Sequence, residues 1–140
     1  MADIKPLDTA TMAVAASALR AQQARMRVIA ENLANADSTA ATAGGDPYRR
    51  QTPVFESKML EGGVKGVVMT RVNQDQTPFR QEFQPGNPAA DAQGYVKMPN
   101  VEPMVEALDM REAQRAYDAN ISVIETVRAM GTSTLDLIKR

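Results

Sequence analysis

Hydrophobic side chains recur along both ends of this chain at a spacing that reads as helix. Met12, Leu19, Met26 and Leu33 stand seven residues apart, with Ala15, Gln22 and Ile29 three residues behind them. That interval places them on one face of a long amphipathic helix. The stretch from about residue 6 to 35 has no glycine and has proline only at its entrance, and strong helix formers dominate it. Asp8 is positioned to cap it. The same spacing returns near the other end, through Ala116, Val123, Met130 and Leu137, with Asn120, Val127 and Thr134 interleaved and Tyr117, Ile124 and Ile138 widening the stripe. Asn100 is the expected cap of this second helix. Glu102 and Pro103 then fall in its first turn, where a carboxylate meets the positive helix end and a missing N–H costs nothing.

Between the helices the period changes. Residues 36–99 hold six of the eight prolines and seven of the eight glycines. They open on a low-complexity Ala/Thr loop, Ala36 to Pro47, and then carry short β-prone runs at Pro53–Glu56, Val64–Val72 and Phe79–Phe83. Two to four short strands in a small antiparallel sheet or loose hairpins are expected. The fold class is therefore α+β, with two long terminal helices paired like a coiled coil and a short β-rich middle. The parts divide at 1–35, 36–99 and 100–140 and form one structural unit.

Each helix would reach about 40 Å, further than the middle can cover. Part of each stripe must find a partner, first the other helix and then other chains. A plain intramolecular hairpin with a β insertion is the competing arrangement. The stripes are rich in Ala and Met, which suits close helix packing in a larger bundle.

Composition removes several kinds of chemistry. Histidine and cysteine are absent, so the commonest general base, the thiol nucleophile and the thiolate metal site are all missing. Net charge is −1, with no Lys/Arg cluster suited to a nucleic acid. Gly62-Gly63-Val64-Lys65-Gly66 lacks the Gly-Lys-Ser/Thr ending of a phosphate loop and reads as a turn into a strand. Asp91, Glu102, Glu106 and Asp109 are not spaced as an acid/base pair, and Glu102 and Glu106 are accounted for by the helix dipole. Arg20, Arg25 and Arg27 flank an Ala-rich side without Trp or Phe, which is a poor membrane-surface helix. The first residues show no basic-then-apolar signal pattern, and no apolar run is long enough for a membrane span. Aromatics make up only 4%, and five of the six lie in the middle, so a compact core is expected there.

Several segments resemble a known family. Ile29-Ala30-Glu31-Asn32-Leu33-Ala34-Asn35-Ala36-Asp37-Ser38 is similar to the signature, centred on Asn-Leu-Ala-Asn, that ends the N-terminal helix of flagellar rod and hook axial proteins. The stretch from Gln84 through Pro85-Gly86-Asn87-Pro88 to Pro99-Asn100-Val101-Glu102 is similar, almost position by position, to the segment before the C-terminal helix in the proximal-rod subunits of that family. Pro47-Tyr48-Arg49-Arg50, Val54-Phe55, Tyr117-Asp118-Ala119-Asn120-Ile121, Thr126-Val127 and Ala129-Met130 match in place and order. Gln93 and Glu102 depart from it, standing where Asn and Asp are expected. The likeness covers about residues 8–140, and the short middle suits a proximal rod subunit.

The resemblance implies a structural protein without enzymatic activity or cofactor. It implies passage through the flagellar type III export apparatus without signal cleavage, and assembly in the periplasmic space into the torque-transmitting rod of the basal body. Its partners would be copies of itself and other rod subunits, with no nucleic acid and no membrane insertion. The residues expected at subunit interfaces are Met12, Leu19, Met26, Ile29, Asn32, Leu33 and Asn35 on the first helix, and Tyr117, Asn120, Val123, Val127, Met130 and Leu137 on the second. For Asn32 and Asn35 two roles stay open, a helix-end cap tolerant of left-handed backbone and an inter-subunit hydrogen bond. For Asn120 the alternatives are a buried, register-fixing amide and a solvated stripe edge. A cytoplasmic coiled-coil adaptor and a small enzyme built on carboxylates, Tyr and Lys are the other functional classes.

Overall fold

The computed structural model describes residues 7–139, with the backbone alone for Leu7 and Asp8. Helix α1 spans Leu7–Ala34 and helix α2 spans Pro103–Ile138. Between them lie β1 (Gln51–Met59), β2 (Lys65–Gln74), β3 (Arg80–Phe83) and β4 (Tyr95–Met98). This is the expected α+β plan. Asp8 already lies within the helix, so it does not precede it as a cap, and its side chain is outside the described residues.

The strands form two separate antiparallel hairpins rather than one sheet. β1 pairs with β2 from Gln51 opposite Gln74 to Met59 opposite Lys65, with a bulge between Val54 and Phe55. The chain reverses at residues 60–64, where the Leu60 N–H donates to the Val64 carbonyl at 2.7 Å. Gly62 (φ 87°) and Gly63 (φ 76°) supply the left-handed backbone that other residues resist. β3 pairs with β4 from Arg80 opposite Met98 to Phe83 opposite Tyr95.

The two helices run antiparallel. Asn32 meets Glu106, Arg25 meets Glu112, and Ala15 and Ala18 share a groove with Asn120 and Val123. Carried one residue for one along the pair, this register sets Leu7 beside about residue 130. The last two turns or so of α2 run past it.

The buried side of α1 coincides with the stripe that periodicity picks out at Ala15 and Ile29 and departs from it elsewhere. Ala15, Ser17, Ala21, Ala24, Val28, Ile29 and Asn32 are buried, while Met12, Leu19, Met26 and Leu33 are half-buried. The cause is close approach. At its crossing with β2, a Cβ on Gly66 would stand 2.6 Å from Ser17 Oγ. Ser17 Oγ instead accepts from the Val67 N–H at 3.2 Å and donates to the Val14 carbonyl at 2.7 Å. Small side chains let the hairpin and α2 come near the α1 backbone, and the larger ones are pushed to the flanks.

The middle holds a buried cluster, as composition suggests, but it is not built on the aromatics. Ala89, Val96 and Met98 form the buried cluster of the middle, with Ala40 and Ala90 packed on it. No aromatic side chain among the described residues is fully buried. Phe83 and Tyr95 stack edge to face, with centroids 5.3 Å apart, on the outer side of the β3–β4 hairpin. Phe79 lies beneath the Arg49 guanidinium at 4.3 Å.

Candidate assembly surface and its polar anchor

Two features of this fold are candidates for function. One is a polar knot at the base of the helical hairpin, and the other is an exposed apolar line on the flank of α2.

The knot is built from the last turn of α1, the open end of the β1–β2 hairpin, and the first two turns of α2. Asn32 is 1% exposed, and its amide is fully engaged. Its Nδ2 donates to the Gln51 carbonyl at 2.8 Å, and its Oδ1 accepts from the Gln51 N–H at 2.9 Å, as an adjacent strand would. Oδ1 also accepts from the Tyr48 hydroxyl at 2.8 Å, and Nδ2 reaches Glu106 Oε2 at 3.4 Å. Glu106 is 0% exposed and receives the Nε–H of Arg50. The same guanidinium reaches Asp75 at 3.4 Å and Asp109 at 3.6 Å.

Asn100 closes the other side. Its Oδ1 accepts the Arg50 backbone N–H at 2.7 Å, and its Nδ2 donates to the carbonyls of Asp75 and Thr77, each at 3.0 Å. Asn100 is thus no helix cap. The N-cap of α2 is Glu102, without a side-chain cap bond, ahead of Pro103.

The electrostatics follow from these contacts. Burial alone would lower the Arg50 pKa, but the Glu106 hydrogen bond and charge, followed by those of Asp75, raise it overall. Hydrogen bonds from the Thr77 side chain and backbone, aided by Arg50, hold the Asp75 carboxyl below its ordinary range. Burial, and after it the charges of Glu31 and Glu106, push the Tyr48 hydroxyl up, which keeps it a donor to Asn32. A guanidinium fills the space between the carboxylates. Among the described residues no group of three or more His, Cys, Asp or Glu is placed to hold a metal.

Sequence spacing alone did not reveal the knot. Glu106 lies seven residues before Ala113 and fourteen before Asn120, on the line that continues to Val127, so its place on the inner seam was readable. The dipole explanation hid it. Asn32 is neither a left-handed cap nor free to bond a neighbour in this conformation. Asn35 does finish α1, but without left-handed backbone: its Nδ2 donates to the Glu31 carbonyl at 2.9 Å, and among the described residues no non-glycine has positive φ.

The remaining predicted residues divide by side. Ile29 is buried against the inner seam. Tyr117, Asn120 and Val127 are half-buried on that seam, with Asn120 at its edge in an apolar groove of about 380 Å³ shared with Val14, Ala18, Val64 and Val123. Val123 (43% exposed), at the rim of that groove, Met130 (61%) and Leu137 (72%) are increasingly exposed along α2. They form one line along α2 on the outer flank of the seam, while Leu135 and Ile138, also exposed, continue the seam side itself past Leu7, the first described residue of α1. No described helix is long and apolar enough to cross a membrane.

Two family models match this architecture. "Flagella basal body rod protein" matches residues 12–41, and "Flagellar basal body rod FlgEFG protein C-terminal" matches residues 92–137. A flagellar basal-body rod protein FlgC of Agrobacterium fabrum is 48% identical over 135 residues, covering 96% of each chain. The chain belongs to the FlgC family. FlgC of Salmonella typhimurium is 46% identical over 125 residues, covering 89% of this chain and 92% of that one. FlgC of Bacillus subtilis is 34% identical over 142 residues, covering 90% and 95%. In this FlgC-family chain the first model takes in most of α1 and Asn32, and the second takes in β4, Glu106 and nearly all of α2. The two matched segments are therefore the two that the hairpin presses together, with Arg50 and Asp75 joining them from between.

Proposed function

We propose that this chain is a structural subunit of the flagellar rod, assembling through its terminal helices with copies of itself and with other rod subunits. The observation that carries the reading is the outer line of α2. A FlgC-family chain leaves Val123, Met130 and Leu137 exposed at heptad spacing, and no described residue of the monomer buries them. A single exposed Met or Leu is ordinary, but an aligned apolar row on a helix is the form of an interhelical seam.

The role is mechanical rather than catalytic. The knot fixes the base of the hairpin so that each subunit presents the same rigid edge. Neighbouring helices then bury the outer line, with Met12, Leu19, Met26 and Leu33 at the flanks of α1 completing the contact. At about 25 cal/mol per Å² of apolar area each contact is modest, and several per subunit add up. Export through the flagellar type III apparatus without signal cleavage, and a place in the periplasmic section of the rod, belong to the same reading.

Purified basal bodies test it. Cells lacking the chain should not swim, and an epitope-tagged copy that restores swimming should be recovered in the rod fraction after detergent extraction. Restored swimming with the tagged chain absent from basal bodies would overturn the assignment.

A further inference from the structure

We propose that the groove between α1 and the β1–β2 hairpin seats α2 of a second copy, with Arg20 and Arg27 meeting Glu125 and Asp118 of that copy. The inference rests on the rod-subunit reading and names the partner of one face.

The groove has a volume of about 250 Å³. Its floor is Ala21 and Ala24, and its far wall is Val67 and Val68 of β2, which are 40% and 36% exposed. Arg20 and Arg27 stand on its α1 rim, one heptad apart. Both are exposed, and neither forms an ion pair within 4.0 Å among the described residues. The third arginine nearby, Arg25, is occupied by Glu112 at 3.6 Å. An apolar trough with two unpaired cations about 10 Å apart along a helix calls for a ridge with two carboxylates at the same interval.

The described helices offer one such pair. Asp118 and Glu125 lie seven residues apart on α2, are both exposed, and make no ion pair within the chain. Ser122 stands between them and Ala129 one turn beyond, on the same side of the helix, both exposed. Small side chains on the ridge match the Ala floor of the trough. Within its own chain the pair is out of step with the two arginines and joins neither. The intramolecular register sets Arg25 against Glu112, so Asp118 lies about a heptad beyond the α2 residue opposite Arg27.

Direction follows from the shaft. Copies related by rotation about an axis and translation along it keep their helix polarity. The incoming α2 therefore runs antiparallel to α1, as it does within one chain. That pairs Arg20 with Glu125 and Arg27 with Asp118, and no other way round.

Charge reversal in cells tests this. The Arg20→Glu, Arg27→Glu chain should be made and folded, by soluble yield and circular dichroism, but enter basal bodies roughly tenfold less than the original or worse. Adding Asp118→Arg and Glu125→Arg to the same chain should restore incorporation and swimming. Unchanged incorporation of the first variant, while the original chain is present in basal bodies, overturns the groove and leaves the rod assignment intact. Loss that the second pair does not restore assigns the groove to a different occupant and equally overturns a second copy. The absence of native cysteine gives a direct check. Co-expressed chains carrying Arg27→Cys alone and Asp118→Cys alone should join through a short thiol-reactive linker in purified basal bodies. A mixture of Arg27→Cys with Leu108→Cys should not.

Discussion

The base and the far end of the helical hairpin are held by different physics. At the base, hydrogen bonds and ion pairs converge on Asn32, Arg50 and Glu106 from α1, the β1–β2 hairpin and α2. These bonds are directional, and a shift of one residue in either helix would break several of them together. At the far end the helices touch through half-buried Ala, Tyr, Ile and Val side chains, and Glu106 and Ala113 are the only α2 residues fully buried. Apolar contact tolerates sliding and says little about register. The difference teaches where the specificity of the subunit lies. The base defines the geometry, and the outer end of α2 offers surface.

The largest effect on the isolated chain should come from Glu106→Ala. It leaves the Arg50 guanidinium, whose side chain is 24% exposed, without its nearest counter-charge. Breaking such a pair from one side costs about 3 kcal/mol. Urea unfolding should show the lower midpoint. A loss below about 1 kcal/mol would mean that Asp75 and Asp109 hold Arg50 unaided, and the base would then be no more fixed than the far end.

Asn32→Ala should cost about 2 kcal/mol, because the Gln51 N–H and carbonyl and the Tyr48 hydroxyl all lose a buried partner. The same unfolding measurement reads it. Asn32→Asp sharpens the point: the acid keeps an acceptor for Gln51 and Tyr48 but sets a second carboxylate near Glu106, so it should be no better than alanine at neutral pH.

Asp75 contributes less, and its share depends on acidity. Its folded pKa lies below the unfolded value, so the stabilisation is complete above about pH 4 and is lost as pH falls through the lowered folded value. Unfolding midpoints measured from pH 5 downward should fall less steeply in Asp75→Asn than in the original chain. Identical slopes would remove Asp75 from the base's electrostatic account.

Much of this plan was legible beforehand, and the parts that were not share a cause. Heptad spacing announced both helices, and the shift to short, Pro- and Gly-bounded runs announced the β middle. β4 escaped because Tyr95–Met98 is four residues between a glycine turn and Pro99, too short for alternation to speak. The buried side of α1 was partly misplaced because hydrophobicity ranks Met12 and Met26 above Ala21 and Ala24. Close approach of the hairpin at Gly66 favours the smaller set. Arg50 and Glu106 are 56 residues apart, and nothing local to either names the other. Periodicity sees a face, and it does not see which element will cover that face or at what distance.

The smallest effect on the folded chain is expected at the outer line of α2, and there the contrast is sharpest. Met130 is 61% exposed and Leu137 is 72% exposed, so aspartate at either position removes little burial. Each change should alter unfolding stability by less than about 0.5 kcal/mol, as surface substitutions do. If neighbouring helices cover that line, however, each copy in the rod would carry a buried, unpaired carboxylate at its contact, at a cost of several kcal/mol. Met130→Asp and Leu137→Asp should therefore yield a stable subunit that fails to assemble and cells that fail to swim in soft agar. A substitution neutral to the monomer and disabling to the rod separates a surface made for neighbours from a core made for itself. Normal swimming with both changes would place the far end of α2 in solvent, and the assembly surface would have to be sought on the flank of α1.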